Sequence, residues 1–241
     1  MSHGKAVIIG ATSGIGRELA KIFSQKGFVL GLAGRRQQLL LELQAELPTP
    51  TYIKRIDVSR QDDSIRYLKE LVAEMGGMEI IVISSGVCFS GRGLDWQMEK
   101  KTIDVNVAGF AAMADAAFDF FCGQGAGQIV GISSVRAARG GWSAPAYNAS
   151  KAFVSNYLEG LRIKAGKMGK DIHMTDIRPG FVDTPMLGGR KSKFLVTPAD
   201  KAAEQIFSAV KNRKRSAYIP PKWALIAMAL KILPYKMYEK L

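Results

Sequence analysis

The regular alternation of short apolar runs with longer segments of helical periodicity constrains this chain more than any other feature. The run "KAVIIG" (5–10) predicts a buried strand. In the next segment, 14–27, Ile15, Leu19 and Phe23 recur at helical spacing, which predicts an amphipathic helix. The same pattern continues along the chain, with strands predicted at 28–34, 51–59, 79–86, 127–134, 171–180 and 216–220, and helices at 35–47, 62–76, 96–122, 197–212 and from residue 143 onwards.

Strands that alternate with helices form a parallel sheet with helices on both faces. The predicted strands are continuous apolar runs, as expected where both faces of a sheet are covered. We therefore predict the α/β class, with a Rossmann-type doubly wound parallel sheet. The 241 residues suit one large domain, 1–241, in which residues 222–241 form a basic and apolar C-terminal segment.

The cysteine content argues against a disulfide framework and against a metal site. Cys88 and Cys122 belong to no paired motif, so both thiols are predicted to be reduced and no metal is predicted. The N-terminus enters an apolar strand without the long hydrophobic region and cleavage site of a signal peptide. These features favour a cytoplasmic protein.

Positive charge is concentrated in the last quarter of the chain. The net charge is +13, and residues 186–241 hold twelve Lys/Arg against three Asp/Glu, a net +9. Such a patch fits anionic lipid, an acidic carrier protein, nucleic acid or solubility alone. Nucleic acid is not predicted, because the run "KNRKR" (211–215) is short and no base-reading motif accompanies it.

The first predicted strand runs into a glycine-rich turn, "GATSGIG" (10–16). Glycines between a strand and a helix allow a tight turn and let a pyrophosphate approach the helix N-terminal N–H groups. The other interpretation is a tight turn without a ligand. The strand before and the helix after favour a dinucleotide site, whose predicted contacts here are Gly10, Thr12, Ser13, Gly14, Ile15 and Gly16.

The end of the second predicted strand indicates which dinucleotide fits. An NAD site usually has an acidic residue there, on the ribose 2′-hydroxyl. This chain instead has Arg35 and Arg36. Two guanidinium groups favour a 2′-phosphate, and arginine carries the wrong charge for the start of a helix. The sequence therefore predicts NADP(H).

A tyrosine and a lysine stand four residues apart where a helix is predicted to begin. Tyr147 and Lys151 would share one helix face, one turn apart. A nearby ammonium is expected to lower the pKa of the phenol, so that it can act as an acid or base at a carbonyl oxygen. Ser133 or Ser134, at the end of the preceding strand, could donate to the same oxygen. Taken alone, the pair is better explained as an ordinary helix pair.

Five motifs in order make the chain resemble the short-chain dehydrogenase/reductase family over nearly its whole length. They are the glycine turn, Tyr147-x-x-x-Lys151, Ser134 thirteen residues before the tyrosine, Asn106 in "DVNVAG", and the turn "RPGFVDTPM" (178–186). One departure is "ISSG" (83–86), where Ser84 replaces an asparagine that the family uses to join neighbouring strands.

The resemblance implies a role for each matching residue. Tyr147 would be the general acid/base, Lys151 would lower its pKa and bind the nicotinamide ribose, and Ser134 would polarise the substrate carbonyl. Asn106 would hold a water that relays protons to Lys151. Further cofactor contacts implied by the family are Asp57, Val58, Ser84, Ser85, Gly86, Tyr147, Lys151, Pro179, Gly180, Val182 and Thr184.

We therefore expect an NADP(H)-dependent oxidoreductase that interconverts a ketone and a secondary alcohol and acts on an apolar or lipid-like substrate. The alternatives are a reductase of 3-oxoacyl groups on an acyl carrier protein and an NADP-binding regulatory protein without turnover. The resemblance implies a homodimer or homotetramer and a mobile lid near 186–196. The apolar stretch 223–233 is too short to span a bilayer. Residues 222–241 fit either peripheral contact at the inner face of a membrane or a helix lining an apolar substrate pocket.

Overall fold

The computed structural model describes residues 4–187 and 195–239. Within them, seven strands and nine α-helices alternate along the chain. The strands are β1 (Lys5–Ile9), β2 (Val29–Gly34), β3 (Thr51–Arg55), β4 (Ile80–Ile83), β5 (Ala126–Ile132), β6 (Asp171–Pro179) and β7 (Ser216–Ile219). The helices are α1 (Gly14–Gln25), α2 (Gln37–Glu46), α3 (Gln61–Glu74), α4 (Trp96–Ile103), α5 (Gly109–Gln124), α6 (Pro145–Lys167), α7 (Ala199–Lys211), α8 (Trp223–Ile232) and α9 (Tyr235–Tyr238).

All seven strands join one parallel sheet in the order β3-β2-β1-β4-β5-β6-β7. The order reverses between β1 and β4, which are hydrogen-bonded neighbours at the centre. In an open parallel sheet, the crevice at this reversal lies beyond the carboxyl ends of the strands and is the usual ligand site. The predicted α/β class and the doubly wound parallel sheet are confirmed.

The sheet is covered by an apolar layer on each face. One layer includes Phe23 from α1 and Ile206 from α7, both fully buried. The opposite layer includes Phe121 from α5 and Leu158 from α6. Because both faces are covered, the central strands β1, β2 and β4 carry apolar residues continuously instead of alternating them with polar residues.

Helix α1 ends where the sequence indicates. Gly27 adopts a φ of 83°, a conformation that glycine reaches without a Cβ clash. Its N–H donates to Ser24 O at 2.8 Å, and the N–H of Phe28 donates to Phe23 O at 3.1 Å. These two bonds form a Schellman motif, which satisfies the last carbonyls of the helix.

Two predicted boundaries differ from the structure. The helix predicted at 96–122 is two α-helices joined by a π-helical segment, Asp104–Ala108. Thr197, the first residue of the helix predicted at 197–212, has the side chain of a helix cap but does not cap α7, which begins at Ala199. The Thr197 N–H donates instead to Phe181 O at 2.9 Å, and Thr197 pairs with Val182 as an isolated β-bridge. A tertiary backbone contact therefore takes the place of the local cap.

One continuous helical stretch in the described part of the chain, Trp96–Gln124, is long and apolar enough to cross a membrane by length and composition. Of its most apolar window, with a mean hydropathy of 1.3, 56% is buried within the protein. This stretch supplies Val105, Phe110 and Phe121 to the core against the sheet. Core helices of globular proteins pass the same test, so the stretch is weak support for a membrane span.

Candidate active site

The glycine turn follows β1 at the centre of the sheet. Gly10 has a φ of 88°, and a Cβ there would lie 2.7 Å from Ser85 N. A Cβ on Gly16 would overlap the carbonyl oxygen of Gly10. The turn can therefore be this tight only with glycine at both positions. Beside the glycine turn, Ser84 extends the pairing of β1 with β4 by one residue, because its N–H donates to Ile9 O at 2.9 Å.

A bare backbone surface beside the first turn of α1 is the feature that fits a dinucleotide. Gly14 has a φ of 54° and opens the helix, and Ile15 follows it. A Cβ on Gly14 would come within 3.0 Å of Thr184 Cγ2, so the glycine turn and the turn after β6 meet here. The helix N–H groups that lack intrahelical partners suit a pyrophosphate at such a position.

An arginine from the end of β2 reaches the glycine turn. The Arg36 guanidinium donates to Thr12 Oγ1 through Nη2 at 2.7 Å and through Nε at 3.2 Å. Nη2 also donates to Ser13 Oγ at 2.8 Å. Arg35 and Arg36 are both exposed. The structure thus brings an accessible cation and two hydroxyl groups together where the sequence predicts the adenosine ribose to bind.

Asn106 lies in the π-helical segment and ties the loop after β4 to the rest of the site. Its Oδ1 accepts from the Val87 N–H at 2.8 Å, and its Nδ2 donates to Val87 O at 2.9 Å. Nδ2 also donates to Ser150 Oγ at 3.1 Å. A Cβ on Gly86 would lie 3.4 Å from both Asn106 Oδ1 and Lys151 Nζ. The missing side chain at Gly86 therefore leaves space beside the lysine, as a bound ribose would need.

Ser134 and Tyr147 lie together at the end of β5 and the start of α6. Ser134 is buried and caps a short 3₁₀ turn, because its Oγ accepts from the Arg136 N–H at 3.1 Å. A hydrogen bond also joins the Ser134 and Tyr147 side chains. Lys151 follows one helical turn later, with its Nζ 5.6 Å from the Tyr147 ring centroid. The three predicted side chains are therefore grouped at one point.

The pKa of the phenol differs from the sequence-based expectation. Burial, with a smaller electrostatic contribution from Cys88, raises the pKa of Tyr147 to about 12. The hydrogen bond with Ser134 and the charge of Arg136 lower the pKa but do not offset the desolvation. The predicted lowering by Lys151, with help from an oxidised nicotinamide, stays a prediction for the protein with cofactor bound. The phenol keeps its proton at neutral pH, as a general acid requires.

Lys151 is a buried ammonium with a lowered pKa. Its Nζ donates to Ile132 O at 2.8 Å, and the residue is 5% exposed. Burial lowers the pKa of Lys151 to about 8, against smaller electrostatic contributions from Cys88 and Asp176 that raise it. The lysine is therefore mostly protonated at pH 7, but it can lose its proton within about one unit above that.

Sequence reasoning missed a buried acid beside this site. Asp176 on β6 is 2% exposed and accepts from Arg178 Nε at 2.7 Å. It also accepts from the hydroxyl of Ser133, which immediately precedes Ser134. The available signal was a single acidic residue inside an apolar parallel strand, where a charge needs a partner.

The remaining predicted cofactor residues divide between the two ends of the crevice. Asp57 follows β3, and its Oδ1 accepts from the Ser59 N–H at 3.1 Å. Val58 is buried and packs against Gly109, because a Cβ on Gly109 would lie 2.6 Å from Val58 O. Pro179 ends β6, and the turn after it contains Gly180, Val182 and Thr184. The predicted lid overlaps residues 188–194, which lie outside the described part of the chain.

Gly180 has a packing role that the sequence did not reveal. A Cβ at this position would overlap the indole of Trp223, the first residue of α8. The neighbouring Phe181 ring meets the same indole edge to face, with centroids 5.5 Å apart. The C-terminal segment is therefore seated directly on the turn that follows β6.

Comparison with known proteins agrees with this geometry. The family described as short chain dehydrogenase matches residues 4–194. An uncharacterized oxidoreductase from Myxococcus xanthus is 32% identical over 247 residues, covering 99% of this chain and 96% of that protein.

Two solved structures share the fold. A short chain dehydrogenase/reductase from Burkholderia phymatum, in complex with NAD, has a TM-score of 0.85 at 22% identity and covers 94% of this chain and 92% of that one. An alcohol dehydrogenase from Thermococcus sibiricus, complexed with 5-hydroxy-NADP, has a TM-score of 0.80 at 23% identity and covers 90% and 96%. The family match spans most of the chain and includes every residue of the proposed catalytic group, so the chain belongs to the short-chain dehydrogenase family of oxidoreductases.

Proposed function

We propose that this protein is an NADP(H)-dependent oxidoreductase that interconverts a ketone and a secondary alcohol. The observation that carries the proposal is the grouping of Ser134, Tyr147 and Lys151 at the carboxyl end of β5, beside the bare glycine turn. A proton donor, a second hydroxyl and a buried cation at one point suit reduction of a carbonyl group.

In the proposed reduction, each side chain has one task. Tyr147, protonated at neutral pH because burial raises its pKa to about 12, gives its proton to the carbonyl oxygen. Ser134 donates a hydrogen bond to the same oxygen as negative charge develops there. Lys151 holds a positive charge next to the phenol and stabilises the phenolate that remains. The nicotinamide cofactor, when bound, supplies or accepts the hydride.

The preference for NADP(H) is supported by Arg36. Its guanidinium, together with Thr12 and Ser13, presents donors at the end of β2, where a 2′-phosphate would bind. The acidic residue Asp57, which we propose contacts the adenine, follows β3, the strand next to β2 in the sheet. Since the two related structures name NAD in one case and an NADP derivative in the other, the preference rests on this chain's own residues.

A cofactor titration tests the preference. Arg36→Ala should weaken NADPH binding by about 10- to 100-fold, the loss expected for a charged hydrogen bond, and leave NADH binding within about twofold. The readout is NADPH fluorescence on binding, with Arg66→Ala, which changes an exposed arginine on α3, as the matched control. Equal losses for NADPH and NADH would contradict an Arg36–phosphate contact.

The substrate is proposed to be apolar or lipid-like. Trp142 lies exposed in the loop between Ser134 and Tyr147, and Met186 lies exposed two residues after Thr184. Exposed large apolar side chains next to a polar catalytic group favour an apolar ligand. A panel of apolar ketones, small polar ketones and 3-oxoacyl carrier-protein substrates, followed by NADPH loss, tests this class. Reduction of the carrier-bound substrates alone would favour the acyl-carrier alternative instead.

Turnover distinguishes an enzyme from a regulatory protein. Tyr147→Phe removes the proposed proton donor and keeps the ring, so it should keep NADPH affinity within about twofold and lose turnover by about 100-fold or more. A wild-type protein that binds NADPH but turns over none of the panel would support the regulatory alternative. Full turnover in the variant would refute the proposed acid.

The exposed apolar residues of α4 bear on the assembly of the protein. Trp96 and Ile103 are exposed on α4, as apolar residues of a subunit interface would be in a separated chain. We therefore propose a homodimer or homotetramer, which light scattering on the purified protein would test. A cytoplasmic location, peripheral to a membrane through the C-terminal segment, is the location we propose.

A further inference from the structure

Helices α8 and α9, with the residues around them (222–239), form a unit that we call the C-terminal face. The unit is anchored at its start, where Trp223 is buried against Phe181 and Ala227 is fully buried one turn later. Its position relative to the catalytic group is therefore set by packing.

A single arginine fastens the far end of the C-terminal face. The Arg139 guanidinium donates to Leu230 O at 2.9 Å and to Leu233 O, so it caps the last carbonyls of α8. The same guanidinium lies 4.4 Å from the centroid of the Tyr238 ring, and the Tyr238 hydroxyl donates to Gly140 O. Arg139 belongs to the loop between the two catalytic hydroxyls, so this loop and the C-terminal face form one connected surface.

The outer side of this unit is apolar and exposed. Leu225, Met228 and Ile232 follow each other at spacings of three and four on α8, and they are 68%, 56% and 74% exposed. Tyr235 and Met237 continue the exposed series along α9. Because Arg139 and Trp223 hold the helices from the other side, this exposure belongs to a packed unit and not to a frayed end.

Basic side chains accompany the apolar series. Lys222, Lys231 and Lys236 are exposed, and within the described residues 222–239 only Glu239 opposes them. An apolar stripe flanked by lysines and aromatic rings matches the interface of an anionic bilayer, where the rings and methyl groups enter the headgroup region and the ammonium groups meet lipid phosphates.

We propose that the C-terminal face binds the surface of an anionic lipid bilayer and lies in the plane of that surface. The ten residues of α8 span about 15 Å, half of a hydrocarbon core, so the helix cannot cross it. A second copy of the chain is the other occupant considered. In a two-fold interface this face would meet itself and bring like-charged lysines together, which opposes association.

The test uses the full-length protein and vesicle flotation. Wild type should float with vesicles of equal parts phosphatidylcholine and phosphatidylglycerol, and much less with phosphatidylcholine alone. Leu225→Gln with Ile232→Gln should weaken binding by about tenfold or more, because two apolar side chains that would be buried in the bilayer interface are lost. Lys222→Gln with Lys236→Gln should weaken it by about fivefold per lysine in the anionic vesicles only.

The matched control is Leu41→Gln with Leu94→Gln, which changes two exposed leucines elsewhere and should float like wild type. Thermal unfolding of each variant shows whether the fold is intact. Wild type that stays lipid-free with anionic vesicles overturns the proposal. The proposal is also overturned if wild type binds no vesicles and the variant Leu225→Gln with Ile232→Gln, alone among the variants, changes oligomeric state. That result assigns the face to a second copy. Turnover of a water-soluble ketone is measured separately, so failure here leaves the proposed reaction untouched.

Discussion

Replacing Lys151 with methionine should make the protein more stable while it removes activity. Lys151 is 5% exposed, and its ammonium donates to Ile132 O at 2.8 Å. Burial lowers the pKa of Lys151 from 10.5 to about 8, so the folded protein disfavours the charged lysine. Methionine has a similar length and no charge, and it therefore removes this unfavourable burial.

The magnitude follows from the fall in pKa. A fall from 10.5 to about 8 corresponds to about 3 kcal/mol of destabilisation when the lysine is charged in both states. The variant also loses the hydrogen bond to Ile132 O, which offsets about 1 kcal/mol. We expect Lys151→Met to raise the free energy of unfolding at pH 7 by about 2 kcal/mol.

The same reasoning fixes the pH dependence. Below about pH 8 the lysine is charged in both the folded and the unfolded chain, and the full destabilisation is present. Between pH 8 and 10.5 the folded protein loses the proton first, so wild type becomes more stable relative to the variant. Above 10.5 the lysine is neutral in both states, and the contribution of charge burial is gone.

Urea unfolding of wild type and Lys151→Met, followed by tryptophan fluorescence at about pH 7 and about pH 10, measures this difference. Lys167→Met, on an exposed position of the same helix, is the matched control and should change the unfolding free energy by less than about 0.5 kcal/mol. A variant that is less stable than wild type at pH 7, or a difference that does not change with pH, would refute the reasoning.

Three further predictions concern the surroundings of the site. The rate of carbonyl reduction should fall above about pH 8, where the buried lysine loses its proton, and a flat pH–rate profile up to pH 10 would contradict a need for that charge. Gly180→Val should lower stability by about 1–3 kcal/mol in thermal melts because its side chain would overlap Trp223, whereas Gly93→Val, which meets nothing within 4 Å, should not. N-ethylmaleimide should inhibit wild type and Cys122→Ser but not Cys88→Ser, because the electrostatic effect of Cys88 on Tyr147 and Lys151 places this thiol beside both catalytic side chains, where an added maleimide would block the site. Inhibition of all three proteins would locate the reactive group elsewhere.

The architecture was predictable because its signals are local and repeated. Continuous apolar runs fixed the parallel strands, and Gly27 marked the end of α1 correctly. The failures occurred where a tertiary contact replaced a local one. Thr197 has the chemistry of a helix cap, but its backbone is used in a bridge to Val182. The π-helical segment around Asn106 has no sequence signal, since it arises where the helix turns its asparagine toward the loop after β4.

The catalytic group was located by spacing, but its protonation was not. Spacing places Tyr147 and Lys151 on one helix face, and a simple pairing of charges then predicts an acidic phenol. In the folded protein both groups lose water, and desolvation moves the pKa of Tyr147 up and the pKa of Lys151 down. A sequence shows which groups are neighbours on a helix, whereas the extent of burial depends on every element that covers them.

Asp176 shows how the fold moderates that burial. It lies on β6, opposite Gly131 of β5 in the strand register, and its carboxylate accepts from Arg178 and Ser133. Its negative charge raises the pKa of Lys151, opposing the desolvation that lowers it. Asp176 is itself held by the Ser133 hydroxyl and the Arg178 guanidinium, and it acts on the lysine through its charge. Burial of Lys151 is therefore opposed first by Cys88 and, to a smaller extent, by this carboxylate on β6, so the protonation of a catalytic side chain also depends on a strand residue outside the catalytic group.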